Sequence, residues 1–131
     1  MRIKGLLACI FIGLLLAATG CKKSVAVIKL DAESNGGSVE MAVGDQLQVV
    51  LEGNPTTGYV WDLYEVDRDV LDMPEMAGYQ QEGEDLGAGG MFTLTFVAVK
   101  AGQTQLSLRY FRPFELEAPP EDTFVLDVTV K

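Results

Sequence analysis

The sequence contains no histidine and only two cysteines, Cys9 and Cys21. The first absence removes Ser-His-Asp and Cys-His catalysis, histidine-based zinc sites and a histidine pH switch. Basic residues are also scarce, with 10 Lys and Arg against 19 Asp and Glu, a formal charge of -9. That balance argues against nucleic-acid binding, which needs basic surface to displace counterions from phosphate. No run of apolar residues is long enough to span a bilayer, which takes roughly 20 residues. At 131 residues the chain is the size of one domain.

The longest apolar run, Leu6 to Ala18, follows Arg2 and Lys4 and leads into Ala18-Thr19-Gly20-Cys21. A basic start, a short apolar core and small residues make a secretory signal. The small residues ending in cysteine resemble a bacterial lipobox. The resemblance implies that residues 1–20 are a lipoprotein signal peptide and that Cys21 is lipidated. The domain would then span residues 21–131, anchored to a bacterial membrane on its extracytoplasmic side. An ordinary cleaved signal followed by a free cysteine is the simpler alternative. Loss of residues 1–20 removes Cys9, Arg2 and Lys4, leaving a charge of -11. With Cys21 acylated, no thiol remains for a disulfide or a nucleophile. Stability must come from the core, and a chain of this length buries roughly 65% of its unfolded surface.

The remaining sequence alternates with a period of two. Strands are expected over Ser24–Leu30, Val39–Val43, Leu47–Glu52, Tyr59–Val66, Met76–Gln81, Met91–Val99, Thr104–Tyr110 and Thr123–Val130. Asn35-Gly36-Gly37, Gly44-Asp45 and Ala101-Gly102 read as turns. Asp67–Met73 is polar and reads as one helical turn ended by Pro74. Seven or eight strands without a long amphipathic helix predict an all-β, antiparallel, immunoglobulin-like sandwich. Trp61 is expected in its core. Asp67, Asp69 and Asp72 lack the glycine and closing glutamate of a calcium loop, so they read as a solvated turn.

Successive connections in such a sandwich switch ends. By that parity the loops Gly53–Gly58, Glu82–Gly90 and Phe111–Glu121 share one end, and they are the most unusual loops in composition. Asn54-Pro55-Thr56-Thr57-Gly58 is a stiff turn sequence with two hydroxyls. Leu86-Gly87-Ala88-Gly89-Gly90 carries little side chain, so its backbone can approach another surface closely. It lacks the strand-to-helix setting of a phosphate loop. Arg112-Pro113-Phe114 flanks a rigid residue with a cation and an aromatic, common binding anchors. Taken singly, the first segment is more often a structural turn and the second a flexible hinge, and the third suits a buried aromatic beside a surface arginine as well as a binding anchor.

Together and in order, they resemble the chagasin family, inhibitors of papain-like cysteine peptidases. The resemblance rests on Asn54 to Tyr59, Gly87 to Gly90 and Arg112 to Phe114, separated by 27 and 21 residues. It implies that three loops fill a peptidase cleft as a wedge. Asn54, Pro55, Thr56, Thr57, Gly58 and Tyr59 would lie over the catalytic Cys and His, with Thr56 nearest. Leu86, Gly87, Ala88, Gly89 and Gly90 would run along the non-primed side through backbone hydrogen bonds. Arg112, Pro113 and Phe114 would clamp the primed side; Phe114 stands where many relatives have Trp. A papain-like cysteine peptidase is the implied partner. No enzyme activity, cofactor, metal or small-molecule substrate is expected. The alternative is a non-inhibitory immunoglobulin-like lipoprotein of the cell envelope, with a binding or structural role.

Overall fold

A computed structural model describes residues 24–131; the expected signal peptide and Cys21 lie outside the described residues. Among the described residues nine strands form two sheets. They are β1 (Val27–Leu30), β2 (Ser38–Met41), β3 (Gln46–Gly53), β4 (Val60–Glu65), β5 (Leu71–Asp72), β6 (Gly78–Gln81), β7 (Gly90–Ala98), β8 (Gly102–Phe111) and β9 (Asp122–Val130). One sheet runs β1-β3-β7-β5, with β6 also on β7; the other runs β2-β9-β8-β4. This is the expected immunoglobulin-like sandwich.

The alternation read from the sequence becomes the core. In β7 every second residue from Gly90 to Ala98 is buried, placing Phe92, Leu94 and Phe96 inward. Leu47, Val49 and Leu51 meet them from β3, while Leu106, Leu108, Phe124, Leu126 and Val128 come from the facing sheet. Each fully buried side chain of this kind contributes about 1.5–3 kcal/mol. Among the described residues no polar or charged residue is fully buried; the Nε of half-buried Arg109, shielded from solvent without a hydrogen-bond partner, is the local cost set against that gain. Trp61 sits in the core as expected, 4% exposed. Its indole N–H donates to the Glu52 carbonyl at 2.9 Å, satisfying the one polar atom it buries.

The structure departs from the sequence reading in three places. The pairs β1–β3 and β2–β9 are parallel, not antiparallel. Side-chain alternation is the same in both senses, so periodicity does not distinguish them. The segment Asp67–Met73 holds a turn, with the Val70 and Leu71 amides donating to the Asp67 carbonyl. It then enters the two-residue strand β5, because Leu71 is fully buried against β7. Asp67 and Asp72 are used locally: the Asp67 carboxylate accepts from the Asp69 amide, and Asp72 lies 3.8 Å from Arg68.

The register fixes which loops lie together. Gly53 at the end of β3 pairs with Gly90 at the start of β7, which pairs with Gln81 at the end of β6. In the second sheet Val60 pairs with Phe111, and Tyr110 pairs with Asp122. The loops 54–59, 82–89 and 112–121 therefore leave the same end of the sandwich.

Candidate functional site

The first loop is a single 3-10 turn, Pro55–Thr57, with Asn54 as its cap. Proline suits the first position because its missing N–H would be unpartnered there. The Asn54 Oδ1 accepts from the Thr56 amide at 3.1 Å and from the Thr56 hydroxyl at 2.6 Å. The Thr57 hydroxyl donates to the Asn54 carbonyl at 2.6 Å. Each threonine thus spends its one hydroxyl proton inside the loop. Gly58 closes the turn at φ 87°, a left-handed conformation that favours glycine.

Asn54 also ties this loop to its neighbours. Its Nδ2 donates to the Gly87 carbonyl in the second loop at 2.9 Å. Its backbone amide donates to the Tyr110 hydroxyl at 2.8 Å. Tyr110 sits on β8 with its ring 5.2 Å from both Trp61 and Tyr59. Core, strand and loop tip are thereby stacked in one column.

The second loop is pinned at its base by the Glu82 amide donating to the Gly89 carbonyl at 3.0 Å. Its interior is held by Gln81, whose Nε2 donates to the Gly83 and Asp85 carbonyls. At the tip Leu86 is fully exposed. Gly87 follows at φ 80° with open space where a Cβ would stand. Gly90 is different. It is buried, and a Cβ there would collide with the Gln80 carbonyl of β6. Its lack of side chain is required by the β6–β7 pairing within the molecule.

In the third loop Arg112 turns back onto the first. Its Nε donates to the Thr57 carbonyl at 3.1 Å, and its guanidinium lies 4.5 Å from the Tyr59 ring centroid. Glu115 meets its Nη1 at 3.4 Å. Arg112 is thus a brace as well as a surface cation. Pro113 and Phe114 are exposed, Phe114 by 71%. The Phe114 ring covers Gly58: a Cβ there would lie 3.0 Å from its Cζ.

The structure therefore gathers all three segments expected to bind at one end, and cross-links them. Thr56, Thr57, Leu86, Gly87, Pro113 and Phe114 are exposed. Asn54, Pro55, Gly58, Tyr59, Ala88, Gly89 and Arg112 are half-buried, and only Gly90 is buried. Sequence reasoning missed Tyr110. Its signal was its place in a strand two residues before Arg112, opposite Trp61 in the sheet. It also passed over Leu116, which is 69% exposed beside Phe114.

A sandwich that holds three cross-linked loops at one end is the architecture of a binding protein. The model of the Chagasin family peptidase inhibitors matches residues 40–128. The chain belongs to this family, whose members are inhibitors rather than enzymes. It is similar to Amoebiasin-1 of Entamoeba histolytica, 28% identical over 104 residues, covering 79% of this chain and 100% of the relative. Chagasin of Trypanosoma cruzi is 29% identical over 90 residues, covering 66% and 82%. Among solved structures, the cysteine protease inhibitor EhICP2 of Entamoeba histolytica superimposes with a TM-score of 0.72 at 22% identity, covering 82% of this chain and 97% of that one. The inhibitor PbICP-C, solved in complex with falcipain-2, has a TM-score of 0.55 at 18% identity, covering 82% and 92%.

Proposed function

We propose that this protein inhibits papain-like cysteine peptidases reversibly, by seating its three-loop end in the active-site cleft. The observation that carries the reading is the Asn54 hub, which joins the 54–59 loop to Gly87 and Tyr110. Loops already ordered lose little entropy on binding. An interface of ordinary size, about 800 Å² on each partner, is then enough for tight association.

The chemistry of the tip suits that target. The hydroxyl protons of Thr56 and Thr57 are committed to Asn54, so each hydroxyl oxygen has only acceptor capacity left to offer a partner. A papain-like site presents donors: an imidazolium beside the thiolate, and N–H groups arranged for an oxyanion. The same loop resists cleavage. Peptidases read extended chain, whereas Pro55–Thr57 is coiled, with the Asn54 and Pro55 carbonyls accepting from Thr57 and Gly58. Phe114 and Leu86 supply apolar anchors on either side. We further assign Cys21 as a lipidated residue that holds the domain on the extracytoplasmic face of a bacterial membrane, on the strength of Ala18-Thr19-Gly20-Cys21.

The test is steady-state inhibition of a papain-like peptidase combined with the intact mass of the inhibitor. Competitive, reversible inhibition with uncleaved protein after prolonged incubation supports the reading. Non-competitive inhibition, or cleavage between Asn54 and Gly58, contradicts it.

A further inference from the structure

The end of the sandwich opposite the loops carries its own surface. Val27 at the start of β1 pairs with Gln46, while Gly53 at the other end of β3 leads into the first loop. The eight residues of β3 separate the two ends by seven steps, about 23 Å at 3.3 Å per step. Three connections meet at this far end. The Ala26 amide donates to the Asp45 carboxylate, and the Gly44 amide donates to the Ala98 carbonyl. These bonds bring Val25, Val43 and Val99 to one end, 58%, 44% and 51% exposed. Lys100 follows Val99 and is exposed.

Charge is distributed unevenly between the ends. The loop end carries Glu82, Glu84, Asp85, Glu115, Glu117 and Glu121, with Arg112 held by Glu115. At the far end Asp45 keeps its negative charge while accepting from the Ala26 and Ala42 amides, and Glu40 is paired with Lys131 at 3.0 Å. The Asp67–Asp69 turn borders the valines on the β5 side, where the Val99 amide bonds the Val70 carbonyl. That border favours contact through the β1 side.

We propose that the Val25–Val43–Val99 face rests on the bilayer surface and that the acidic loop end points away from it. The inference rests on lipidation at Cys21, as proposed above. Cys21 precedes Ser24 by three residues, which reach at most about 11 Å. A lipid there holds this end, and not the loop end, beside the membrane. Exposed valines with a lysine suit the interface between headgroups and acyl chains. Anionic headgroups repel the six carboxylates of the loop end, which reinforces the orientation. A peptidase approaching from the medium then meets the inhibitory loops first.

The test uses the full lipidated protein in vesicles of phosphatidylethanolamine and phosphatidylglycerol that carry a lipid-borne quencher. A fluorescent probe is attached to Val43→Cys in one sample and to Leu116→Cys in another. The proposal predicts that the probe at position 43 loses most of its emission and the probe at position 116 almost none. Combining Val43→Cys with Val25→Glu and Val99→Glu reduces quenching at 43, with circular dichroism confirming the fold. Equal quenching at both positions, stronger quenching at 116, or an unacylated Cys21 by mass would overturn it. Peptidase inhibition read in the vesicles that carry the position-43 probe separates this outcome from failure of the inhibitor reading. A loop end that inhibits while position 43 stays unquenched rejects the orientation alone.

Discussion

The side chain of Asn54 reaches across to the backbone carbonyl of Gly87, 33 residues later, and donates to it at 2.9 Å. The same amide group caps its own turn through Oδ1. One residue therefore orders two of the three loops. Asn54→Ala removes both roles. A lost cap costs about 0.5–2 kcal/mol of stability, visible as a lower midpoint in urea. Inhibition should weaken further than stability suggests, on the order of 30-fold, because the two loops must then be ordered on binding. Unchanged inhibition would show that the loops hold their places without this bond.

Tyr110→Phe isolates the connection between core and tip. The ring still stacks on Trp61 and Tyr59, but the acceptor for the Asn54 amide is gone. Loss of such a bond at a half-buried site costs about 1 kcal/mol. Thermal unfolding of the two proteins, compared side by side, measures that loss. A tyrosine that matters only for packing would leave the melting curve unmoved.

Phe114 makes the opposite prediction. Being 71% exposed, it contributes little to folding. Phe114→Ala should change stability by less than about 0.5 kcal/mol. Its affinity for the peptidase should fall by about 1.4 kcal/mol or more, roughly tenfold, if the ring is an interface anchor. Titration calorimetry with an inactivated peptidase reads this directly. Equal affinity would remove Phe114 from the interface.

Gly90 and Gly87 separate structural from surface glycines. A Cβ at Gly90 meets the Gln80 backbone, which cannot give way without opening the β6–β7 pair. Gly90→Ala should destabilise by more than about 2 kcal/mol, through overpacking of a buried site. Gly87→Ala meets open space and suffers only the left-handed backbone penalty of about 1 kcal/mol. Hydrogen exchange on β6 should accelerate for the Gly90 variant and not for the Gly87 one. Reversal of that order would contradict the assigned roles.

Much of this was legible in the sequence, for physical reasons. Alternation in β7 and in the Leu106–Leu108 stretch of β8 follows from burial of one face only, so Phe92 and Leu106 were readable as core, while the last strand left Phe124 and Val125 equally open. Trp61 was readable as core because it falls within an alternating strand. Loop parity placed Asn54, Gly87 and Arg112 at one end, where two hydrogen bonds now link their loops. The parallel pairings of β1 and β2 were not legible, since strand direction leaves no mark on side-chain period. β5 was hidden because two residues are too few for a pattern. The double life of Arg112 was hidden as well. Its hold on the Thr57 carbonyl depends on loops 55 residues apart, which only the fold brings together. Gly90 looked like its neighbours and differs from them by one strand's proximity.

Under the proposed mode of inhibition, the tip of the Asn54–Tyr59 loop enters the active site of a papain-like peptidase. Inhibition by purified residues 22–131, with and without Thr56→Arg, tests it most directly. Thr56 is exposed and gives up one surface hydrogen bond, so the variant should stay folded within about 1 kcal/mol. Reversible inhibition in about the nanomolar range is expected of the parent, weakened by on the order of 100-fold in the variant, because an arginine cannot be accommodated where a hydroxyl fits. Equal inhibition by both proteins, or none by a folded parent, would contradict it.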